Sequence, residues 1–463
     1  MTDYYIGASG SDAADGLSWA NRKLTLNGVE DVPIAAGDTC YIGPGTYRET
    51  LTLDIDGSAG NIITYIGDVT GENTDGVGGI IRISGSDNDT STARTNCVTG
   101  SARDYRTFRG IWFSHSSNDL ISLTGSPTNI MIEDCSFSEA GDDSIVFDGA
   151  SMTALTVRRC FIISGGRGNV GIKFNSGSDA GAITSTVENC IIVGGGNGKG
   201  IESTRSASIT VKNSTIGWCE RGLSIATAAS ATTPMITANN CLLIHSGSSA
   251  CRALSTGEIT EDYNTFFMNN LDRTNTSIGS NSQTYPPLFV PPLLLDGFQF
   301  PMAFCELSEW SAVRGIAGTG EATDDFLGLT RPTTSAKKSW GPVQFRDFSR
   351  ETGTTRGSST ASIKLADAGQ HQMFVPVTNT STTFSVYCYR ETNYAGTNPQ
   401  LVIKQPGIAD DTTTDTGSAS AWNELTTTLT PDAGTNFVVV ELVSNNTATS
   451  GSYDTFFDDL TVS

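Results

Sequence analysis

The chain has 463 residues, room for two or three domains, and its 49 acidic and 28 basic residues give a formal net charge of −21. An acidic surface of this kind repels nucleic acid and anionic lipid, so the charge argues against both as partners. No apolar run approaches the ~20 residues of a membrane-spanning helix, which argues against a transmembrane protein.

The chain opens on a strand pattern rather than on an export signal. Residues 1–7, MTDYYIG, contain neither a basic region nor an apolar segment of the kind that directs secretion. We therefore expect synthesis in a cytosol without a signal peptide. The ten cysteines need not pair in that environment.

One short sequence pattern recurs about every twenty-five positions between residues 111 and 265. Each copy has an apolar residue, a spacer, usually Asn or Asp, then a small residue and a second apolar stretch. The small residues of the five copies are Cys135, Cys160, Cys190, Ser214 and Cys241. A repeat of this length predicts a solenoid, in which each coil buries its apolar face only against its neighbours.

A second pattern runs in step with the first and supplies another strand in each coil. Its apolar residues follow a small or short polar residue, at Leu120, Ile145, Ile172, Ile201, Leu223 and Leu254. Helical periodicity is absent between the two patterns. Short strands that stack on their copies in the next coil predict an all-β protein with a parallel β-helix.

The repeated side chains predict two ladders along this solenoid. The cysteines should stack in the narrow interior as small apolar residues. Asn189, Asn213, Asn240 and Asn264 should stack at a bend, where asparagine tolerates left-handed backbone and its amide can bond the next asparagine. The sequence has no C-x-x-C and only three histidines, which favours packing over a metal or redox role for the cysteines.

Two stretches near the N-terminus carry a family resemblance. Residues 5–20, YIGASGSDAADGLSWA, and 36–49, AGDTCYIGPGTYRE, resemble the opening of a large group of right-handed parallel β-helix proteins. Chondroitinase and alginate lyases share this opening, as do many non-enzymatic surface and phage proteins. Residues 287–290, 325–332 and 340–345 are similar to the group's closing segment. The resemblance implies a β-helix over 1–290, with a closing segment and linker over 291–345.

The sequence changes character after residue 345, where short strand patterns alternate with turns of Thr, Ser, Gly and Asn. The stretch 421–426, followed by 456–462, looks like a carbohydrate-binding module, which implies a jelly-roll β-sandwich over 346–463. Alternation along 383–389 puts Tyr387 and Tyr389 on one strand face, as candidates for contact with a glycan or a partner subunit. Asp458 shares parity with Phe456, which predicts an inward carboxylate with a structural Ca²⁺ as its candidate partner.

The candidates for catalysis are two adjacent carboxylates, Asp142 and Asp143. With Gly141 they resemble the Gly-Asp-Asp of β-helical polygalacturonases, and glycoside hydrolysis needs two carboxylates. Those enzymes add a further Asp and a His from neighbouring coils, where this chain offers Gly171 and Gly200. We therefore interpret the pair as a solvated turn, with catalysis as the alternative.

The basic residues of the coils are candidates for a lyase site, which needs a cation and a base. They do not match the paired Lys and Arg motifs of the lyases, and scattered charges on an acidic rod are usually solvated. These residues are Arg158, Arg159, Lys173, Lys199, Lys212 and Arg221.

Taken together, the sequence favours a phage virion protein without catalytic activity. We expect a fibre, spike or decoration protein on the virion exterior, in which a β-helical rod carries a jelly roll for attachment or glycan contact. It should form a homo-oligomer, with a trimer favoured, and bind other virion proteins or a host surface glycan. No cofactor is required, and a structural Ca²⁺ is the candidate metal. The alternative is a polysaccharide lyase or glycosidase of tailspike type, which a groove lined by carboxylates or by Lys, Arg and Tyr would favour.

Overall fold

In a computed structural model the chain forms two compact units, 1–345 and 346–463, and part of each unit is described. In the first unit the structure describes 1–32, 34–164, 169–175, 183–194, 198–204, 208–227, 235–284, 322–325 and 331. In the second it describes 348–351, 362–366, 370–376, 381–392, 394–404, 411–430, 437–446 and 454–462. The predicted closing segment, 291–345, lies outside the described residues except for 322–325 and 331.

The first unit is a right-handed parallel β-helix built from three parallel sheets. Sheet 1 has ten strands: Asp3–Ile6, Thr39–Ile42, Ile63–Gly67, Arg106–Arg109, Ile130–Glu133, Met152–Arg158, Ile183–Glu188, Ser208–Lys212, Ile236–Asn239 and Ile259–Asp262. Sheet 2 has nine: Gly45–Tyr47, Ile81–Ser84, Trp112–Ser114, Ser136–Ser138, Phe161–Ser164, Ile191–Gly194, Thr215–Gly217, Leu242–Ile244 and Thr265–Phe267. Sheet 3 also has nine: Leu51–Leu53, Val98–Ser101, Ile121–Thr124, Ile145–Asp148, Val170–Asn175, Lys199–Ser203, Arg221–Ile225, Ser249–Arg252 and Leu271–Thr274.

The register of sheet 1 confirms the first repeat. Ile132 pairs with Val157, and the same row continues through Val187, Val211 and Ala238. All five side chains are buried in one hydrophobic core. Because each coil donates the same position to this row, identical residue types recur at the interval seen in the sequence.

The second repeat is confirmed at four of its six positions. Ile145, Ile172, Ile201 and Leu223 form one inner row of sheet 3. The row continues to Ile121 on one side and to Cys251 on the other, whereas the sequence pattern pointed to Leu120 and Leu254. The choice of Leu120 was one residue early, because Leu120 and Ile121 are both apolar and both fully buried.

The cysteines of the first repeat stack in the interior, as predicted. Cys135 and Cys160 are no more than 1% exposed, and burial raises the pKa of the Cys160 thiol. Each thiol donates to the carbonyl two residues earlier, for example from Cys160 Sγ to the Arg158 oxygen at 3.3 Å. Ser214 keeps the pattern, since its hydroxyl donates to the Lys212 oxygen at 2.9 Å. The nine cysteines that the structure describes are all free and buried.

We expect these thiols to be inert in the folded protein. Cys135, Cys160, Cys190 and Cys241 should react with a thiol reagent only after denaturation, because all four side chains are buried and a reagent must reach the sulfur to react. Burial raises the pKa of Cys241 to about 12. The measurement is labelling by mass spectrometry with and without denaturant. Rapid native labelling of all four would contradict the buried stack.

The asparagine bend is confirmed in backbone conformation but not in its bonding. Asn189, Asn213 and Asn240 have positive φ angles of 54°, 45° and 58°. At the next coil Tyr263 takes this conformation, and Asn264 occupies the position of the stacked cysteines. The predicted amide ladder is wrong at two positions, because the Asn189 amide donates to the Asp324 carbonyl at 2.8 Å and Asn213 Oδ1 accepts from the Ala322 N–H at 2.8 Å.

A buried ion pair lies near the N-terminal end of the β-helix. The short helix Asn27–Glu30, which follows a 3₁₀ turn at Trp19–Asn21, brings Glu30 to the interior. Arg106 Nη1 lies 2.6 Å from Glu30 Oε1, and both side chains are at most 1% exposed. The Tyr65 hydroxyl also donates to Glu30. The trio joins the helix to two strands of sheet 1.

The second unit is a β-sandwich of two antiparallel sheets. One sheet has five strands: Phe348–Glu351, Ser362–Ala366, Thr382–Arg390, Trp422–Leu429 and Asp454–Val462. The other has four: Gln370–Pro376, Gly396–Lys404, Asp411–Thr414 and Phe437–Asn446. Side chains from both sheets form a core of their own, for example Phe384, Phe457 and Leu442. Across the described parts of both units, no helix has the length and apolar character to cross a membrane.

Candidate functional site

Three carboxylates meet where the chain turns from sheet 2 into sheet 3. Asp119 precedes one strand of sheet 3, and Asp142 and Asp143 precede the next. One oxygen from each of the three lies within 4.8 Å of the others. Asp119 and Asp143 are buried, whereas Asp142 is exposed. The group therefore has two buried carboxylates and one carboxylate that faces solvent.

Backbone hydrogen bonds fix the two buried carboxylates. Asp119 Oδ1 accepts from the N–H of Asp143 at 3.3 Å, and Asp143 Oδ1 accepts from the N–H of Val170 at 2.7 Å. Each carboxylate thus bonds the backbone of the following coil. The stacking of coils places Asp119 and Asp143 in successive layers, about 4.8 Å apart in strand spacing.

Lys173 supplies a positive charge to this cluster. Lys173 lies on the outer face of the next strand of sheet 3, and its Nζ donates to Asp143 Oδ2 at 2.8 Å. One ammonium balances one of the three carboxylates, so the cluster keeps an excess of negative charge. Carboxylate oxygens are the ligands that a hard divalent cation such as Ca²⁺ prefers, so the three aspartates are candidate ligands for one.

Burial perturbs the protonation of these groups. It raises the pKa of Asp119 to about 6, and the charge of Asp143 adds to that rise against a hydrogen bond from Ser122. Burial also raises the pKa of Asp143, although Lys173 opposes the rise. For Lys173, burial acts to lower the pKa, but the bond and charge of Asp143 outweigh it and the pKa is raised. Lys173 therefore carries a protonated ammonium group at neutral pH.

Sequence reasoning singled out Asp142 and Asp143 but missed Asp119 as their partner. The alignment on Leu120 put Asp119 opposite Ser144, whereas the observed pairing of Ile121 with Ile145 puts it opposite Asp143. The length of the turn in the sequence indicated the correct alignment. Ile111 lies as many residues before Ile121 as Cys135 lies before Ile145, so the two turns align without a gap.

The two histidines in the described part of the β-helix, His115 and His245, do not join the carboxylate cluster. His115 contacts the Glu139 carboxylate, and its Nδ1 lies 2.6 Å from Arg82 Nη2. His245 stacks on Trp218, with ring centroids 5.0 Å apart. A polygalacturonase-like arrangement, with a histidine beside the aspartates, is thus not formed within the described residues.

Polar and charged side chains continue along the outer face of sheet 3. Lys173 pairs in register with Glu202, then come Ser224 and Arg252 in the two following coils. Glu202 is buried and accepts from Lys199 Nζ and, at 3.2 Å, from the Ser224 hydroxyl. Three of the six basic residues named from sequence lie elsewhere in the unit. Arg158 and Arg159 bind Glu133 from sheet 1 and its following turn, and Lys212 ends a strand of sheet 1. Arg221, like Lys199, is on sheet 3 and contacts Glu220.

The candidate residues of the β-sandwich lie on one outer face. Tyr387 and Tyr389 are partly buried and alternate with the core residues Val386 and Cys388, in agreement with the strand parity. Asp458 pairs with Tyr387, which puts it on this outer face and not on the inward face assumed from sequence. Asp458 joins no group of three candidate metal ligands within the described residues.

Two more aromatic side chains pack around Tyr389. The rings of Trp422 and Phe456 lie 5.6 and 6.0 Å from the Tyr389 ring, at interplanar angles of 51° and 64°. Inclined rings of this kind pack against one another and do not form one flat platform. Trp422 and Phe456 reach this surface through cross-strand pairing with Tyr389, which alternation along a single strand does not reveal.

Comparison with solved structures finds proteins that are similar to parts of this chain. The pectate lyase Pel9A aligns with a TM-score of 0.52 at 13% identity, over 74% of this chain and 96% of its own. A Paenibacillus alginate lyase aligns with a TM-score of 0.43 at 16% identity, over 57% of this chain and 94% of its own. A family 16 carbohydrate-binding module aligns with a TM-score of 0.21 at 18% identity, over 26% of this chain and 86% of its own. No protein-family model and no curated protein matches the sequence. At such identities the likeness to the pectate lyase is one of fold.

Proposed function

We propose that the protein is a uronate polysaccharide lyase whose active site lies on the outer surface of sheet 3. The observation that carries this proposal is the contact of Lys173 with the carboxylate cluster of Asp119, Asp142 and Asp143. A lyase needs a cation site and a base side by side, and this cluster offers both. The proposal takes up the alternative that the sequence left open, because the fold adds Asp119 and Lys173 to the aspartate pair. That a pectate lyase has the same fold supports it further.

The carboxylates are suited to hold the cation. Asp119, Asp142 and Asp143 would bind Ca²⁺, whose charge neutralises the carboxylate of a bound uronate and makes the proton on the adjacent carbon more acidic. The buried backbone bonds of Asp119 and Asp143 hold these two ligands in place. Exposed Asp142 leaves the site open to a polymer from the solvent side.

Lys173 is the candidate base. In its neutral form the amine takes the proton from the carbon next to the uronate carboxylate, and the released electron pair forms a double bond to the neighbouring carbon. The bond from that carbon to the glycosidic oxygen breaks, and this oxygen takes up a proton from solvent. The products are an unsaturated uronate end and a free sugar hydroxyl, and no water is consumed.

The proposal is tested by incubating the full chain with polygalacturonate and with alginate in the presence of Ca²⁺. We expect a rise in ultraviolet absorbance from the new double bond, with its loss on chelation and recovery when Ca²⁺ is restored. Asp143→Asn should lower the rate strongly, because it removes one charge of the cluster. Glu139→Gln is the matched control, since Glu139 is an exposed carboxylate of the same turn outside the cluster. New reducing ends without the double bond, or no products from either polymer, would overturn the proposal.

A second candidate function is attachment without catalysis. In that case the β-helix is the rod of a virion fibre, spike or decoration protein, and the β-sandwich contacts a glycan or a neighbouring subunit of a homo-oligomer. The supporting observation is the outer face with Tyr387, Tyr389, Trp422 and Asp458. Retention of a glycan by the full chain without turnover of either polymer would favour this candidate.

A further inference from the structure

We propose that an extended polyuronate lies along the outer face of sheet 3, parallel to the solenoid axis, and that Arg252 binds one of its carboxylates away from the cleaved bond. The inference rests on the proposed lyase function for the position of the reacting sugar. It adds a recognition residue three coils from Lys173.

The register of sheet 3 aligns these side chains. Lys173, Glu202, Ser224 and Arg252 occupy one position in four successive coils. The alternate position, from Ile172 to Cys251, faces the core, so this row faces outward. Three strand spacings separate Lys173 from Arg252, which is about 14 Å.

Arg252 differs from the other cations of this face. Lys173 contacts Asp143, Lys199 contacts Glu202, and Arg221 contacts Glu220. Arg252 is partly buried and forms no ion pair or side-chain hydrogen bond with any residue that the structure describes. An arginine without a carboxylate partner is unexpected in a chain with a net charge of −21. The arrangement fits an acidic ligand that supplies the missing partner.

The charges around Arg252 do not repel an anion. Ser224, the neighbour in the row, is neutral and donates to Glu202. Glu202 is itself balanced by Lys199, so the stretch between Lys173 and Arg252 carries no uncompensated negative charge. A guanidinium can bind a carboxylate through two parallel hydrogen bonds. A polyuronate carries a carboxylate on every sugar, and this repetition fits a chain held both at the cluster and at Arg252.

The test is Arg252→Gln, measured for cleavage and for binding. We expect KM for long polyuronate to rise about tenfold with little change in kcat, since a charged hydrogen bond to the substrate is lost far from the reacting atoms. The rise should be smaller for the shortest oligomer that is still cleaved. Affinity electrophoresis in gels with polygalacturonate gives a readout independent of turnover, and Arg252→Gln should be retarded less than the unmodified chain.

Lys212→Gln is the matched control, because it removes one positive charge from sheet 1 and not from sheet 3. Unchanged KM and retardation in Arg252→Gln would overturn the inference while leaving the lyase function standing. Equal losses in Lys212→Gln would also overturn it, since only the net charge would then matter. Weaker retardation in Arg252→Gln without any cleavage by the unmodified chain would support the binding surface and reject the lyase function.

Discussion

Replacing Lys173 by alanine should lower the turnover of polyuronate by about 100- to 10,000-fold, the usual contribution of a positioned general base. The reason is geometric: Lys173 Nζ lies 2.8 Å from Asp143 Oδ2, at the edge of the carboxylate cluster. The loss should appear in kcat, because the proton is transferred in the transition state. The measurement is the initial rate of double-bond formation at saturating Ca²⁺.

Two further variants separate a base from a structural charge. Lys173→Arg keeps the positive charge beside Asp143 but holds its proton more firmly, so it should be about as inactive as the alanine variant. Lys212→Ala, on sheet 1, should keep the full rate. If Lys173→Arg retains most of the activity, Lys173 acts as a fixed cation and the assignment as base is wrong.

The same lysine sets the expected pH dependence. Without bound Ca²⁺ the pKa of Lys173 is raised, because the hydrogen bond and charge of Asp143, together with the charges of Asp142 and Glu202, outweigh burial, which lowers it. A lysine amine becomes neutral only as the pH rises into the alkaline range, even without this interaction. We expect kcat to increase with pH from neutral upward in the unmodified chain, and this increase should be absent from the residual activity of Lys173→Ala.

The β-helix could be predicted from the sequence because its determinants are local and repeated. An inner row such as Ile132, Val157 and Val187 recurs once per coil, so periodicity alone reveals it. The stacked Cys160 and its neighbours were predictable for the same reason. Ser214, which interrupts the cysteines, keeps the same hydrogen bond to the carbonyl two residues earlier.

The candidate site was harder to predict because it depends on the relation between coils. Asp119 and Asp143 are distant in sequence and meet only when the turn before sheet 3 is aligned without error. Leu120 and Ile121 are equally apolar and equally buried, so hydrophobicity could not decide between the two alignments. Lys173 was one of six basic candidates, and the sequence did not distinguish it from the others, since an isolated lysine on an outer strand position is usually solvated.

The bonding of the asparagine bend was not predictable either. Each asparagine adopts the left-handed conformation expected of it, but the side-chain partners of Asn189 and Asn213 come from Asp324 and Ala322, more than a hundred residues later. A long-range contact of this kind leaves no periodic trace. The same holds for Glu30 and Arg106, whose 2.6 Å contact crosses from a terminal helix to the interior of the solenoid.

The buried pair of Glu30 and Arg106 leads to the largest expected effect on stability. Arg106→Met removes the positive partner and leaves the Glu30 carboxylate and the Tyr65 hydroxyl in the interior. Breaking a buried pair from one side typically costs about 3–5 kcal/mol, because the remaining charge is uncompensated. We expect the free energy of unfolding of the first unit to fall by that amount in urea denaturation followed by circular dichroism.

A double variant distinguishes this cause from a simple loss of packing. Glu30→Leu combined with Arg106→Met removes both charges, and replacing a buried pair by apolar side chains is often close to neutral. The double variant should therefore be more stable than Arg106→Met alone, which additive effects of two core changes would not produce. Arg109→Met is the control, because Arg109 lies on the same strand with a 53% exposed side chain, and it should shift stability by about 0.5 kcal/mol or less. If the double variant is instead less stable than Arg106→Met, Glu30 contributes through packing and hydrogen bonds to the helix, and the uncompensated charge is not the reason for the loss.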